Sequence, residues 1–483
     1  MNGYSRAVPL TLPHPLLPDL AKRSITTMPE TRKIALFIAI LAGFLTPFDL
    51  SAVNIALPTM GAEFSMDAIE MGWIATAYLL AAGVFLVPFG RLADIYGRKR
   101  VFATGLAIFT LASLLMILAN SSLLIILVRL LQGFGGAMIF GTAVAILSSV
   151  TPPNERGRAL GIYTTAVYLG LSVGPFFGGI LTEHFGWRSI FLVNIPIGLF
   201  AIALILLFLK DEWADCCGEP FDAAGAALYG LTLVCVMYGF TVLPGTAGIV
   251  LLIAGGLIFA WFIRHELHIK YPVLDVSMFT RNRVFAYSNL AALINYSATF
   301  AVTFFLSLYL QYIKGFSAEH AGMLLVIQPV VQAVFSPVAG RLSDRIDPGK
   351  IASVGMALAA LGLLCLVMVD TATTLVTLIL ILVILGAGLG LFSSPNTNAI
   401  MGSVDHKKYG VASGTLGTMR IVGQMLSMGI AMMLLAISIG DAQITPELYP
   451  QFLSSMRICF GIFSVLCSAG IFFSLVRYSR ESG

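Results

Sequence analysis

Three ionisable residues lie deep inside long apolar stretches of this sequence: Asp49, Arg129 and Arg420. A charge at the centre of a bilayer costs at least ~2.5–3.5 kcal/mol, so such residues normally face the interior of a helix bundle and serve a function. At 1.5 Å per residue, Asp49 and Arg129 reach similar depths from the same side, so they can pair. We expect Asp49 to couple proton movement and Arg129 to tune its proton affinity; a purely structural ion pair is the alternative.

Other polar residues inside the apolar stretches could line a cavity between helices. Polar packing between membrane helices is the simpler explanation for any single one of them. Arg420 serves equally well as a substrate ligand or as a clamp between helices. The candidate cavity residues are Asn54, Tyr78, Gln132, Gln328, Arg420 and Gln424, and Asn194 is a further polar residue in an apolar stretch.

The elements that must position these residues are membrane-spanning helices. Of 483 residues, 58% are hydrophobic and 11% are charged, against roughly 25% charged in soluble proteins. A bilayer core ~30 Å thick needs about 20 apolar residues per helix, and this criterion predicts fourteen spans. The shortest is Ala247–Ile263, so thirteen or twelve remain alternatives. The predicted fold is therefore an all-α integral membrane protein.

The distribution of lysine and arginine predicts the orientation of the chain. Basic residues concentrate in alternate loops, such as Arg98–Arg100, which positions those loops in the cytoplasm. Both termini are then cytoplasmic, in the cell membrane (the inner membrane of a Gram-negative cell), and the number of spans is even. Residues 1–33 lack the apolar core of a signal peptide and are expected to form a disordered cytoplasmic tail.

Several classes of site are absent from the sequence. It has no GxxxxGK[ST] phosphate loop, no HExxH or GxSxG motif and no CxxC or cysteine–histidine cluster. We therefore expect neither an enzyme nor a cofactor or metal, and the short basic loops do not form a nucleic-acid surface. The expected partners are a small-molecule substrate, protons and the lipid bilayer. Whether a periplasmic adaptor takes part is left open.

An internal repeat divides the chain into two halves. GRLADIYGRK begins at Gly90 and the weaker GRLSDRIDPGK begins at Gly340, each in an inner loop after an apolar helix. A duplicated bundle is the usual plan of a secondary transporter. The repeat predicts two six-helix bundles, 34–209 and 284–483, separated by a linker, 210–283, with two extra membrane helices.

The motifs resemble those of the major facilitator superfamily. GRLADIYGRKRVF is similar to its inner-loop signature, and the run from Gly170 to Gly179 in the fifth helix resembles its antiporter motif. FDLSAVNIALP, RLLQGFGGA and GWRSIFLVNIPIG resemble the fourteen-helix drug:proton antiporters. In the second repeat, Asp347 and Pro348 depart from the signature. The resemblance implies a conformational switch formed by Gly90, Asp94, Gly97, Arg98, Gly170, Gly174, Pro175, Gly178 and Gly179.

Together these observations predict a secondary active transporter. The expected activity is proton-coupled efflux of drug-like or amphipathic small molecules by alternating access. A transporter of one specific metabolite or organic anion is the first alternative, favoured by two buried arginines against one carboxylate. A transport-inactive membrane sensor or assembly subunit is the alternative of another class.

Overall fold

The computed structural model describes residues 17–152, 155–343, 345–405, 409–440 and 442–476, with the side chains of 17–31 and 156–158 left aside. Fourteen helices in this part of the chain are long and apolar enough to cross a membrane, which confirms the predicted count. Their bounds are α1 Arg32–Phe64, α2 Ala68–Tyr96, α3 Arg98–Ile117, α4 Ser122–Val150, α5 Ala159–Phe185, α6 Arg188–Phe208, α7 Ala223–Thr241, α8 Thr246–Glu266, α9 Arg283–Ile313, α10 Ala318–Ser343, α11 Pro348–Val367, α12 Leu375–Gly402, α13 Tyr409–Ser438 and α14 Pro446–Leu475.

Some helices extend beyond their apolar cores or change form along their length. The helix that contains α1 begins at Leu17, within the segment predicted as a tail. A short helix, Ser277–Arg281, precedes α9, and α9 ends in a π-helical turn at Tyr309–Ile313. A 3-10 turn, Pro446–Leu448, opens α14.

Polar residues in the loops set the starts of many helices. Their side chains accept hydrogen bonds from backbone N–H groups of the first turn, which have no partner within the helix. Asp67 and Glu70 form a reciprocal capping box at α2. Asp347, which departs from the family signature, caps α11, and Pro348 takes the first helical position, where no N–H donor is required. The other capping residues are Ser121, Asp222, Asn282, Ser317 and Thr374.

The packing of the helices reproduces the internal repeat. In the first half, α1 packs on α5 and α6, α4 on α2 and α3, and α3 on α6. Adding eight to each number gives the pairs that form the second half: α9 with α13 and α14, α12 with α10 and α11, and α11 with α14. The halves meet through α2 on α13 and α5 on α10, which are also equivalent pairs. The offset of eight, rather than six, reflects the insertion of α7 and α8.

The two halves are closed against each other at one end. We call the end where α1 begins the inner face and the opposite end the outer face. At the outer face, the Ser307 hydroxyl donates to the Asn54 carbonyl oxygen at 2.7 Å, and Gln311 Nε2 donates to the Ile55 carbonyl oxygen at 3.0 Å. Towards the inner face, no heavy atom of the described residues lies within 4 Å of the position that a Cβ would take on Gly161 or Gly414. The arrangement is therefore inward-facing.

Candidate functional site

Asp49 and Arg129 form an ion pair at the centre of the first half. Both side chains are 0% exposed, and Arg129 Nη1 lies 2.6 Å from Asp49 Oδ2. Arg129 Nε donates to the carbonyl oxygen of Ile74 at 3.0 Å, which fixes the guanidinium between α4 and α2. Asp49 lies near the middle of α1, about 25 Å from either end at 1.5 Å per residue. The pairing inferred from equal depth is present in the structure.

Amide side chains complete the surroundings of Asp49. Gln132, almost one turn after Arg129 on α4, donates from Nε2 to Asp49 Oδ1 at 3.1 Å and to the Ser113 hydroxyl at 3.2 Å. Asn194 on α6 donates from Nδ2 to the same carboxylate oxygen at 2.8 Å. Asp49 thus accepts three hydrogen bonds, one of them from a cation. Both carboxylate oxygens are therefore engaged by donors from α4 and α6.

Tyr78 closes the cluster on the side of α2. Its ring centroid lies 4.6 Å from the guanidinium carbon of Arg129, a cation–π contact. Three buried polar atoms have no hydrogen-bond partner: the Tyr78 hydroxyl, Arg129 Nη2 and Asn194 Oδ1. Gln132 and Tyr78, predicted as cavity residues, therefore belong to the surroundings of Asp49. Because the carboxylate is sealed, a proton can reach it only if helices separate.

Arg420 occupies a different setting, between the halves. It lies on α13, with its guanidinium carbon 5.7 Å from the ring centroid of Tyr168 on α5 and 5.2 Å from that of Tyr296 on α9. Its Nε is buried without a hydrogen-bond partner. Gln424, four residues later on the same helix, is buried on the same face. The two tyrosines were missing from the predicted site.

Asn54 and Gln328 lie at contacts between helices. The Asn54 side chain is 2% exposed beside α9, and its Oδ1 has no hydrogen-bond partner. Gln328 is half-buried on α10, and its carbonyl oxygen packs against Gly386 of α12. Neither contact brings the residue into the Asp49 cluster.

The inner loop between α2 and α3 is held by an acid–base contact. Asp94 Oδ1 accepts from Arg98 Nε at 2.8 Å and from Nη2 at 2.6 Å. Arg98 Nη1 donates to the Ser149 hydroxyl of α4 at 2.6 Å, which links the loop to the end of that helix. Gly97 adopts φ +120°, a conformation that glycine tolerates best. No heavy atom lies within 4 Å of a Cβ placed on Gly90.

The linker that follows α6 docks on this same loop. Its carboxylates face the basic residues: Glu219 is 2.5 Å from Arg91, and Asp215 is 2.7 Å from Arg98. Backbone bonds join the two segments as well, from Arg98 N to the carbonyl oxygen of Trp213 and from Cys216 N to that of Asp94, both at 2.9 Å. The run of acids in residues 211–219 was the available sequence signal for this contact.

The glycine run of α5 serves two contacts. Positions that a Cβ would take on Gly170, Gly174 and Gly178 meet residues of α1, among them Ser51 and Ala52. A Cβ on Gly179 would instead lie 2.5 Å from the Ala318 carbonyl oxygen, at the start of α10 in the other half. On α10, a Cβ on Gly322 would overlap the carbonyl oxygen of Pro175. Backbones of the two halves therefore touch at the outer face.

The sequence profile of the Major Facilitator Superfamily matches residues 39–215 and 288–483, and α7 and α8 lie in the unmatched segment between these two ranges. The chain belongs to this superfamily. It is thus a multi-pass membrane transporter and not an enzyme. The expected resemblance to exporters of the superfamily is also confirmed, since relatives include multidrug resistance and export proteins.

The proteins that this chain is similar to include two relatives by sequence and one solved structure. The chain is 32% identical over 387 residues to the riboflavin transporter RibZ of Clostridioides difficile (strain 630), covering 80% of this chain and 84% of that protein. It is 30% identical over 412 residues to the tetracenomycin C resistance and export protein of Streptomyces glaucescens, covering 84% and 76%. A bacterial homologue of the human lysosomal transporter Spinster, in an inward-facing unoccupied conformation, has a TM-score of 0.65 at 16% identity, covering 92% of this chain and 97% of that one.

Proposed function

We propose that this superfamily member exports small drug-like or amphipathic molecules in exchange for protons, by alternating access, with Asp49 as the proton-carrying residue. The observation that carries the proposal is the sealed ion pair of Asp49 and Arg129, 2.6 Å apart. Structural ion pairs between membrane helices are costly, so an acid kept there points to a role that changes with its protonation. Similarity to antibiotic and multidrug exporters supports efflux.

The mechanism follows from the hydrogen bonds around the carboxylate. In the inward-facing arrangement Asp49 is ionised and matched by Arg129. Opening of the outer face would let a proton reach Asp49, which would weaken its contact with Arg129. On the way back to the inward-facing arrangement, Asp49 would release the proton to the inner side before its pair with Arg129 closes again. The loop contact of Asp94 with Arg98 and the glycines of α5 would then set the balance between the two arrangements.

The first prediction tests the proton step in liposomes that contain the purified protein. Asp49→Asn imitates the protonated residue permanently. We expect it to abolish accumulation driven by a pH gradient while equilibrium exchange of the same substrate continues. Rhodamine 123 and fluorescein serve as probes, measured after lysis at one fixed pH, and protein-free vesicles give the background.

Asp405→Asn, which neutralises an exposed acid of an inner loop, is the matched control and should transport as the wild type does. Uphill transport by Asp49→Asn at the wild-type rate would show that the coupling residue lies elsewhere.

The second prediction concerns orientation in the cell membrane. We propose that the inner face is cytoplasmic, because basic loops gather there. In a variant without native cysteines, Asp275→Cys should escape an impermeant maleimide added to intact cells. Ala372→Cys, in the exposed loop between α11 and α12, should react. Labelling at position 275 with protection at 372 would reverse the orientation.

One observation favours a narrower second candidate, a transporter of a specific organic anion or metabolite. Arg420 is a cation at the contact between the halves, and a riboflavin transporter is among the relatives.

A further inference from the structure

No acidic side chain in the described part of the chain forms an ion pair with Arg420. Arg129, the other arginine that the sequence places deep inside an apolar stretch, is matched by Asp49. An unmatched charge within a membrane protein is costly, and so is a buried donor without a partner, such as its Nε.

Two tyrosine rings supply only part of what this cation lacks. Tyr168 and Tyr296 approach the guanidinium at 5.7 Å and 5.2 Å, and each cation–π contact is worth ~0.5–2 kcal/mol. The Tyr296 hydroxyl also hydrogen-bonds the guanidinium, but the buried Nε still lacks an acceptor among the described residues. The N–H donors of a guanidinium form a planar fork that matches a carboxylate or a similar oxyanion.

The position of Arg420 suits contact with a transported molecule. It is about 16 Å along α13 from Tyr409, hence well inside the membrane. Tyr168 belongs to the first half and Tyr296 to the second, so the guanidinium faces the seam at which the halves move. Gly417 precedes Arg420 by one turn, and no heavy atom lies within 4 Å of a Cβ placed there. The inner side of this residue is therefore open, and Arg420 itself is only half-buried.

We propose that Arg420 binds the anionic group of the transported molecule, with Tyr168 and Tyr296 against its aromatic or apolar body. The inference rests on the proposed transport function and narrows its substrates to amphipathic organic anions, such as aromatic carboxylates. When closure of the halves expels water from this region, the negative charge of the bound substrate pairs with Arg420, a role that no acid of the described residues takes.

The competing explanation is a clamp, in which the arginine only holds the tyrosines of the two halves together. The two explanations differ in which ligands they discriminate. A clamp acts on all substrates alike, whereas an anion site distinguishes ligands of the same shape and opposite charge. Fluorescein and rhodamine 123 share one ring system and differ in charge, so they form a suitable pair.

The test measures dye binding to the full-length protein in lipid nanodiscs by fluorescence anisotropy at fixed pH. The wild type should bind fluorescein more tightly than rhodamine 123. Arg420→Gln should raise the Kd for fluorescein at least tenfold and change that for rhodamine 123 less than twofold. Arg420→Lys keeps the charge but not the planar fork, so its Kd for fluorescein should lie between those of the wild type and Arg420→Gln. Arg264→Gln, at an exposed arginine of α8, is the matched control and should change neither Kd.

Tighter binding of rhodamine 123 by the wild type would overturn the proposal, and this measurement does not depend on any variant folding. An equal rise in the Kd for both dyes in Arg420→Gln would favour the clamp and would likewise overturn the anion-site proposal. Failure of pH-driven uptake in liposomes would reject proton coupling and leave these binding results in place. Conversely, uphill transport of rhodamine 123 alone would keep the proposed function and refute the anion site.

Discussion

Arg129 and Arg420, both deep within the membrane spans, show two ways of accommodating a cation inside a helix bundle. Arg129 lies within one half, fully buried, and its charge is matched by Asp49 at 2.6 Å. Arg420 lies between the halves, half-buried, and its partners are tyrosines of both halves rather than an acid. The ion pair of Arg129 with Asp49 is buried, so its helices must separate before either residue can exchange a proton or contact another group. Arg420 presents a charge to whatever enters between the halves.

The largest difference should appear in stability. Removing one partner of a buried pair leaves the other charge uncompensated, at a cost of about 3–5 kcal/mol. We therefore expect Arg129→Leu to lower the free energy of unfolding by that amount. Arg420→Leu loses cation–π contacts and removes an unmatched charge, so its cost should stay below about 2 kcal/mol. Thermal unfolding of both variants in one detergent gives the rank order.

A double variant separates the pair from its surroundings. Adding Asp49→Asn to Arg129→Leu should recover much of the lost stability, because it removes the orphaned charge. In combination with Arg420→Leu, the stability changes of the two substitutions should simply add. Equal losses for the two arginine variants, or no recovery by Asp49→Asn, would remove the distinction between a matched and an unmatched arginine.

A smaller effect is expected from a substitution that separates the halves. A methyl group on Gly322 would overlap the carbonyl oxygen of Pro175, and overpacking of this kind costs about 1–3 kcal/mol. Gly322→Ala should therefore favour opening of the outer face. This change alters the neighbours of Arg420, whose rings come from both halves, while the partners of Arg129 all belong to one half.

The measurement is labelling of Ser307→Cys by an impermeant maleimide, because Ser307 is 0% exposed at the outer contact. Labelling should accelerate roughly 5- to 150-fold, the factor that corresponds to this free energy. Gly256→Ala on α8 is the control, since no atom lies within 4 Å of its Cβ position. An equal acceleration in both variants would mean that the overlap at Gly322 does not control opening.

The smallest effect is expected at Arg98 of the α2–α3 loop, which contacts two acids. Asp215 is 69% exposed and Asp94 is 31% exposed, and exposed ion pairs contribute about 0–1 kcal/mol. Asp215→Asn should lower stability by less than that and lose its effect in high salt. Asp94→Asn should cost more, because it removes two charge-assisted hydrogen bonds. Thermal unfolding at low and high salt compares them, and a larger cost for Asp215→Asn would contradict the assigned order.

The fold and half of the site could be predicted from the sequence for physical reasons. Apolar runs of about 20 residues fix the number of spans because the bilayer fixes their length. The repeated signatures at Gly90 and Gly340 fix the two halves, and the equal depth of Asp49 and Arg129 predicts their pairing. The depth of a residue in the membrane follows from counting residues along its helix. These features could therefore be predicted without knowing how each helix is rotated about its axis.

The neighbours of Arg420 could not be predicted in the same way. Tyr168 and Tyr296 reach it only because α5 and α9 present those particular faces to α13, and rotation about a helix axis is set by packing rather than by hydropathy. The linker acids Glu212, Asp215 and Glu219 were overlooked for a related reason. Charges in a short loop are consistent with the predicted membrane orientation whether they form ion pairs or stay in water. Their pairing with the α2–α3 loop therefore depends on how the chain folds in three dimensions.

The inserted helix α7 gives the protein a third moving part. It packs on α2 in the first half, where the Tyr229 hydroxyl donates to the carbonyl oxygen of Gly83 at 3.1 Å. It also packs on α13 in the second half, where a Cβ on Gly429 would lie 2.8 Å from the Phe240 ring. Under the proposed alternating access, a helix that touches both halves must slide against at least one of them in every cycle. In the proposed cycle, the contacts that α7 makes with α2 and α13 would therefore have to break and re-form as the seam between the halves opens.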